Sequence, residues 1–251
     1  MAKQSGLADA FYLSGFDISG DVNSLTSVHG GPAVLDMTDI TESAMDRKGG
    51  ERDGGIAWNS FFDSAAGKAH AALSPAGSAD EIATYFRGTA IGNPAASCNG
   101  KQPDYDPNRG ADGSLILGVS VVASGFGLEW GDQLTPGRRV DTAATAAGAG
   151  NSFDTGASLA FGAQMYVHLF AFAGTSVTIK VQDSADNISF LDIAGTSLTT
   201  AALTSAPQAV RVAIPNTTTV RRYLAVATVG TFTNADFSVM VHKNEIANVQ
   251  F

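Results

Sequence analysis

The chain has 251 residues, 44% of them hydrophobic, with a formal net charge of −9. That length and apolar fraction suit one large or two small packed domains. Residues 1–150 hold 10 basic and 18 acidic side chains against 5 and 6 beyond them, which excludes tight nucleic-acid binding but not a surface that nucleic acid slides past.

Glycine is abundant, and Ala, Ser, Thr and Val are frequent, a mixture that favours short strands and turns over long helices. Residues 1–15 read as a loose arm without the apolar core of a signal peptide. Its Leu7, Phe11 and Tyr12 call for cover, and a neighbouring subunit is one source. From Phe16 to Phe62 the pattern is strand, turn, strand. Val34, Asp36, Thr38 and Ile40 alternate with Leu35, Met37 and Asp39. ITESAMDRKGGERDGG (40–55) reads as a polar, glycine-rich loop. IAWNSFFD (56–63) places Ile56, Trp58 and Phe62 on one face and Ala57, Asn59, Phe61 and Asp63 on the other. Helix is expected only in GKAHAALSP (67–75) and in SADEIATYFRG (78–88), where Ser78 and Glu81 form a capping box. The stretch 89–113 reads as turns and contains Cys98. Strands return in SLILGVSVVASG (114–125) and GLEWGDQLT (127–135).

DTAATAAGAGNS (141–152) has the composition of a linker. After it come AQMYVHLFAFAG, SVTIKVQDSADNISFLDIA, QAVRVAIP, RRYLAVATVG and ADFSVMVHKN, alternating β-branched segments at short spacing. Val177, Ile179 and Val181 share one face, and Thr178, Lys180 and Gln182 the other. The fold is therefore expected to be mainly β: an N-terminal β-sandwich with a short flanking helix over 1–145, a linker at 146–152, and a jelly-roll or Ig-like β-sandwich over 153–251.

Catalytic and metal motifs do not emerge. His29, His70, His168 and His242 are scattered without ligand spacing, and His168 reads as a satisfied core histidine. No nucleophile elbow, P-loop or dinucleotide fingerprint occurs. Cys98 is the sole cysteine, so no intrachain disulfide forms, which suits a reducing cytoplasm. DSADNIS (183–189) fits a hairpin turn better than a calcium loop. Arg138-Arg139 and Arg221-Arg222 point to opposite faces of their strands and make no basic patch. No run reaches the roughly 20 apolar residues of a membrane span. No cofactor is expected. An enzyme would need paired carboxylates in a cleft. A binding module would use exposed aromatics such as Tyr166 or Phe190 to hold carbohydrate or a cell surface.

GFDISGDVNSLT, followed by VLDMTDITESAMDRKGGERDGGIAWNSFFD, resembles the major tail protein, or tail tube protein, of long-tailed bacteriophages. The matching pieces are Asp17-Ile18-Ser19 with Val22, Asp36-Met37-Thr38, then Gly50, Asp53, Gly54, Ile56, Trp58 and Phe61-Phe62-Asp63. GLEWGDQLTPGRRVDT is similar to the segment closing that domain, so the resemblance covers roughly residues 5–145. The C-terminal half looks like the accessory sandwiches found outside many phage tails. The resemblance implies a structural virion protein, assembled in the host cytoplasm, with its flanking helix at ATYFRG. Six copies would form a ring, and stacked rings a tube. Other tail proteins would sit at the tube ends. The tape measure protein and genomic DNA would pass through the lumen without specific binding.

On that reading Arg47, Lys48, Gly49, Gly50, Glu51, Arg52 and Asp53 form an inter-subunit loop, glycines supplying dihedral freedom and charges fixing orientation. Leu7, Phe11 and Tyr12 are arm contacts. Asp36, Asp39, Asp63 and Glu129 are candidates for an acidic lumen that repels phosphate.

Overall fold

Strands run through most of the chain, and their pairings are antiparallel. The computed structural model describes residues 6–75, 77, 79–193 and 197–246. The first half holds β1 (Ala10–Leu13), β2 (Phe16–Asp17), β3 (Val22–Asp36), β4 (Arg47–Phe61), helix α1 (Ala69–Leu73), β5 (Glu81–Phe86), β6 (Pro94–Lys101), β7 (Asp106–Arg109), β8 (Leu115–Ala123) and β9 (Glu129–Gln133). The second holds β10 (Arg139–Asp141), β11 (Ser152–Asp154), β12 (Ala163–Ser184), β13 (Leu191–Asp192), β14 (Leu198–Thr199), β15 (Gln208–Ala213) and β16 (Tyr223–Lys243). One hydrogen-bonded path, β13-β12-β16-β9-β6-β5-β1-β2, crosses both halves.

Helix α1 forms in the first expected patch. The second patch is β5 instead, hydrogen-bonded to β1 on one side and β6 on the other. Ile82, Ala83, Thr84 and Phe86 are buried there, and two strand partners override a weak local helix preference. ATYFRG is thus no flanking helix. Ser78 lies outside the described residues, and Glu81 opens a strand. The turn-like stretch around Cys98 also corrects to strand. Ala95, Ala96, Ser97 and Cys98 are fully buried in β6. Burial pushes the Cys98 thiol up to about 12, which makes it inert.

Two apolar cores divide the chain between Leu128, in the first, and Leu134, in the second. The expected linker does not part them. Thr145 bridges to Thr228, and β10 and β11 both pair with β16. A third cluster, including Tyr12, Phe86, Tyr166 and Met240, joins the halves. His168 reinforces that joint. Its Nε2 meets Thr84 Oγ1 at 2.8 Å, and its Nδ1 accepts the Gly15 amide at 3.2 Å.

Four of the expected short strands fuse into two long ones. β12 and β16 pair from Ala163–Lys243 to Ser184–Tyr223, interrupted by bulges between Leu169 and Ser176. Val167 and Leu169 before the bend and Val177 and Ile179 after it enter the same core. Glycine makes the bend possible. Gly174 and Gly230 have φ of 156° and 135°, and a Cβ on Gly174 would lie 2.4 Å from the Phe232 Cα. The alternation expected in β12 holds: Val177, Ile179 and Val181 are buried, and Thr178, Lys180 and Gln182 are half-buried. Among the described residues no helix is long and apolar enough to cross a membrane.

Candidate assembly surface

β3 begins and β4 ends inside the first core. Ile56 and Trp58 are buried, and β4 pairs with β8 from Gly55 to Phe61. Beyond Gly55 the third strand stops, and β3 and β4 continue alone as a two-stranded ribbon to the Asp36–Arg47 pair. Seven residue steps along β3, from His29 to Asp36, carry that ribbon roughly 20 Å past its root. Every residue from His29 to Gly49 is exposed.

The root is set by close packing. Gly30 and Gly54 face each other, and Leu128 lies over both. A Cβ on Gly54 would sit 2.7 Å from the Leu128 backbone nitrogen. Further out, a Cβ on Gly49 would press on Pro32, and one on Gly50 on Leu35, at 3.3 and 3.1 Å. The expected inter-subunit residues Arg47 to Asp53 are thus strand rather than loop. Their glycines have no left-handed φ; they make room for the Pro32 and Leu35 side chains instead. The turn itself lies at 37–46, where the Met37 amide donates to the Asp46 carbonyl. Asp36 accepts the Thr38 amide and hydroxyl at 3.0 and 2.6 Å, and Asp39 accepts those of Thr41 at 2.7 and 2.6 Å. Those bonds hold both carboxyls below the ordinary range.

The ribbon surface mixes apolar and unmatched charged groups. Ile40 is 103% exposed, Val34 69% and Met45 60%, with Met37 and Leu35 at about half. Six acidic and three basic side chains lie between Asp36 and Asp53. None joins an ion pair among the described residues. Among the described residues β3 pairs with β4 alone, so its outer edge carries no strand there.

The remaining expected residues are scattered by the fold. Leu7 is 84% exposed. Phe11 and Tyr12 are buried, which corrects their reading as arm contacts: β4 and β12 of the same chain cover them. Phe11 packs on Trp58 with ring centroids 4.6 Å apart, and Tyr12 on Phe170 at 4.8 Å. Glu129 is corrected too. It is buried at 1% exposure, takes the Tyr166 hydroxyl at 2.5 Å and pairs with the buried Arg211 at 3.0 Å. An internal ion of this kind cannot line a lumen. Asp36 stands on the ribbon opposite Arg47 and Asp39 in its turn, while Asp63, half-buried, folds the turn before α1 by accepting the Ala65 amide. Tyr166 is buried and Phe190 half-buried, so Tyr166 presents no ring to carbohydrate. Asp186 accepts the Ile188 and Ser189 amides, as a hairpin turn requires. The four paired arginines each reach a carboxylate: Arg138 reaches Asp17 and Asp236, Arg139 reaches Asp141, Arg221 reaches Asp183 and Arg222 reaches Asp154. Sequence gave no local signal for the Glu129–Arg211–Tyr166 group, because its members come from three distant strands. Among the described residues no group of three or more His, Cys, Asp or Glu is placed to hold a metal ion.

No protein-family model matches the chain, and no curated protein matches it in sequence. Among solved structures, the SPP1 Dit protein, described as a paradigm of the hub adsorption apparatus in phages infecting Gram-positive hosts, is similar at 10% identity and a TM-score of 0.33. That match covers 93% of this chain and 98% of the other. The phage p2 baseplate in its activated conformation with Sr is similar at 8% identity and a TM-score of 0.30, covering 95% of this chain and 99% of the other. Scores this low carry no argument about what the chain does.

Proposed function

We propose that this chain is a structural subunit of a phage tail, in which six copies close into a ring and rings stack into a tube. The ribbon is the observation that carries the reading. An isolated two-stranded hairpin is marginal in water. One that holds five large apolar side chains in solvent gains stability when a neighbouring copy covers them. Head-to-tail contacts of that kind close into rings or extend into filaments. The bare edge of β3 offers a second contact of the same sort. The resemblance at residues 5–145 supplies the tube, the hexamer and the passengers: tape measure protein and DNA, which move through without binding. Other tail proteins cap the ends, and the particle is assembled in the host cytoplasm. Asp36, Asp39 and Asp63 remain in this proposal as carboxylates that repel phosphate near the path of DNA.

Negative-stain microscopy and light scattering on the concentrated chain test it. The intact chain is expected to form rings and tubes. A variant with residues 37–46 replaced by an Asn-Gly turn is expected to stay monomeric with an unchanged circular dichroism spectrum. A wild-type chain that stays monomeric at every concentration, or a variant that assembles as well as wild type, overturns the proposal. Closed rings that never stack would keep the subunit contact and remove the tube.

A further inference from the structure

Away from the ribbon, a pocket of about 300 Å³ opens where β9 meets the end of β16. That volume is at the lower end for small-molecule sites. Its wall is Trp130, 47% exposed, whereas the other tryptophan, Trp58, is 1% exposed in the core. Trp130 and Asp132 stand two residues apart in an extended strand, so both project to one face. The Asp132 carboxylate is half-buried, and among the described residues it takes part in no hydrogen bond or ion pair. Desolvation raises its pKa, opposed by nearby His242 and Lys243.

Two carboxylates, Asp132 and Glu245, offer acceptors at the opening. His242 turns Nδ1 to the Trp130 carbonyl. A carbonyl only accepts, so Nδ1 donates to it and is not free for a ligand. Glu245 is an exposed carboxylate at the same opening. Lys243 is the nearby donor, but its ammonium is already committed to Thr155 Oγ1 at 2.7 Å, the Ala157 carbonyl at 2.7 Å and the Arg221 carbonyl at 3.2 Å. A ligand matching this arrangement presents a flat C–H face to the indole and several donors to the acceptors. It carries no negative charge.

We propose that this pocket binds a neutral hexopyranose unit of a saccharide, its C–H face stacked on Trp130 and two adjacent hydroxyls donating to the Asp132 carboxylate. Hydrogen bonds to an ionised acceptor are the stronger kind, and the indole supplies rigid apolar area at low entropic cost. The inference stands apart from self-assembly, since none of these residues belongs to the ribbon.

Saturation-transfer NMR and calorimetry on the full chain test it, with a panel of neutral hexoses, N-acetylhexosamines, uronic acids and their short oligomers. Neutral sugars are expected to receive saturation at ring C–H protons and to give measurable heats, while uronic acids do not bind. Trp130→Ala and the isosteric Asp132→Asn are each expected to weaken binding by about tenfold or more, with thermal unfolding unchanged. Absence of transfer to every sugar, a preference for uronic acids, or binding that survives both substitutions overturns the assignment.

Discussion

The ribbon and the body of this protein handle the same residue types in opposite ways. In the body, Arg87, Arg138, Arg139, Arg211, Arg221 and Arg222 all reach carboxylates, and Leu, Ile and Val fill two cores. In the ribbon, Arg47, Lys48 and Arg52 form no ion pair among the described residues, and Val34, Leu35 and Ile40 stand in solvent. The body matches most of its arginines and buries its cores within one chain. The ribbon leaves both its charges and its apolar groups for something else to match. A fold that keeps such a surface at the end of a self-sufficient scaffold has separated stability from association, and the two can be broken independently.

The largest expected effect lies in the body. Glu129→Ala leaves Arg211 buried at 8% side-chain exposure without its carboxylate, and Tyr166 without its acceptor. Breaking one partner of a buried pair costs about 3–5 kcal/mol. Denaturant unfolding is expected to show a loss of that size. A loss no larger than a typical surface substitution would mean that the ion is dispensable and that the contrast with the ribbon is weaker than drawn.

A smaller effect sharpens the joint between the halves. His168 is buried as the neutral ring, its pKa pushed from 6.5 down to about 3 by desolvation. Unfolding lets it take up a proton below pH 6.5. Its contribution is therefore whole above pH 6.5 and drains away as pH falls towards 3, at up to about 1.4 kcal/mol per unit. Between pH 6.5 and 5, where ordinary carboxylates are still ionised, wild type is expected to lose stability faster than His168→Phe. The substitution lowers the baseline by freeing the Gly15 amide and Thr84 hydroxyl, but only the slope is diagnostic. Equal slopes would show that the ring is protonated inside the fold.

Local pattern carried the β class, the faces of β12, the Asp186 turn and the core place of His168, because each depends on neighbours a few residues away. Partner choice at long range was not legible. Glu129 and Asp36 look alike as letters; one is buried because Arg211, 82 positions on, closes over it. β5 carries a helix-like string that two flanking strands extend. Cys98 sits among small residues that read as turn and pack as a central strand. The glycines of GGERDGG suggested freedom in φ, whereas Gly49, Gly50 and Gly54 admit Pro32, Leu35 and Leu128. β12 and β16 looked like four strands because Gly174 and Gly230 punctuate them. The candidate site was legible as a charged, apolar excursion, but its turn lies nearer 37–46 than 49–55.

The smallest effect on stability belongs to the ribbon, and it is the most telling. Ile40→Ser with Met45→Ser removes two side chains that touch solvent, so unfolding free energy is expected to move by no more than about 0.5 kcal/mol. If anything it rises slightly, since exposed apolar surface gives the monomer nothing. Assembly is expected to fall steeply in the same variant, read by light scattering across concentration. Reversing Arg47 and Arg52 to Glu should slow association most at low ionic strength, because rim charges act on encounter and are screened by salt. A double serine variant that loses stability would show that the ribbon folds back on its own chain. One that keeps stability and assembles normally would leave these apolar groups without a partner. Only unchanged stability with lost association fits a surface completed by another copy.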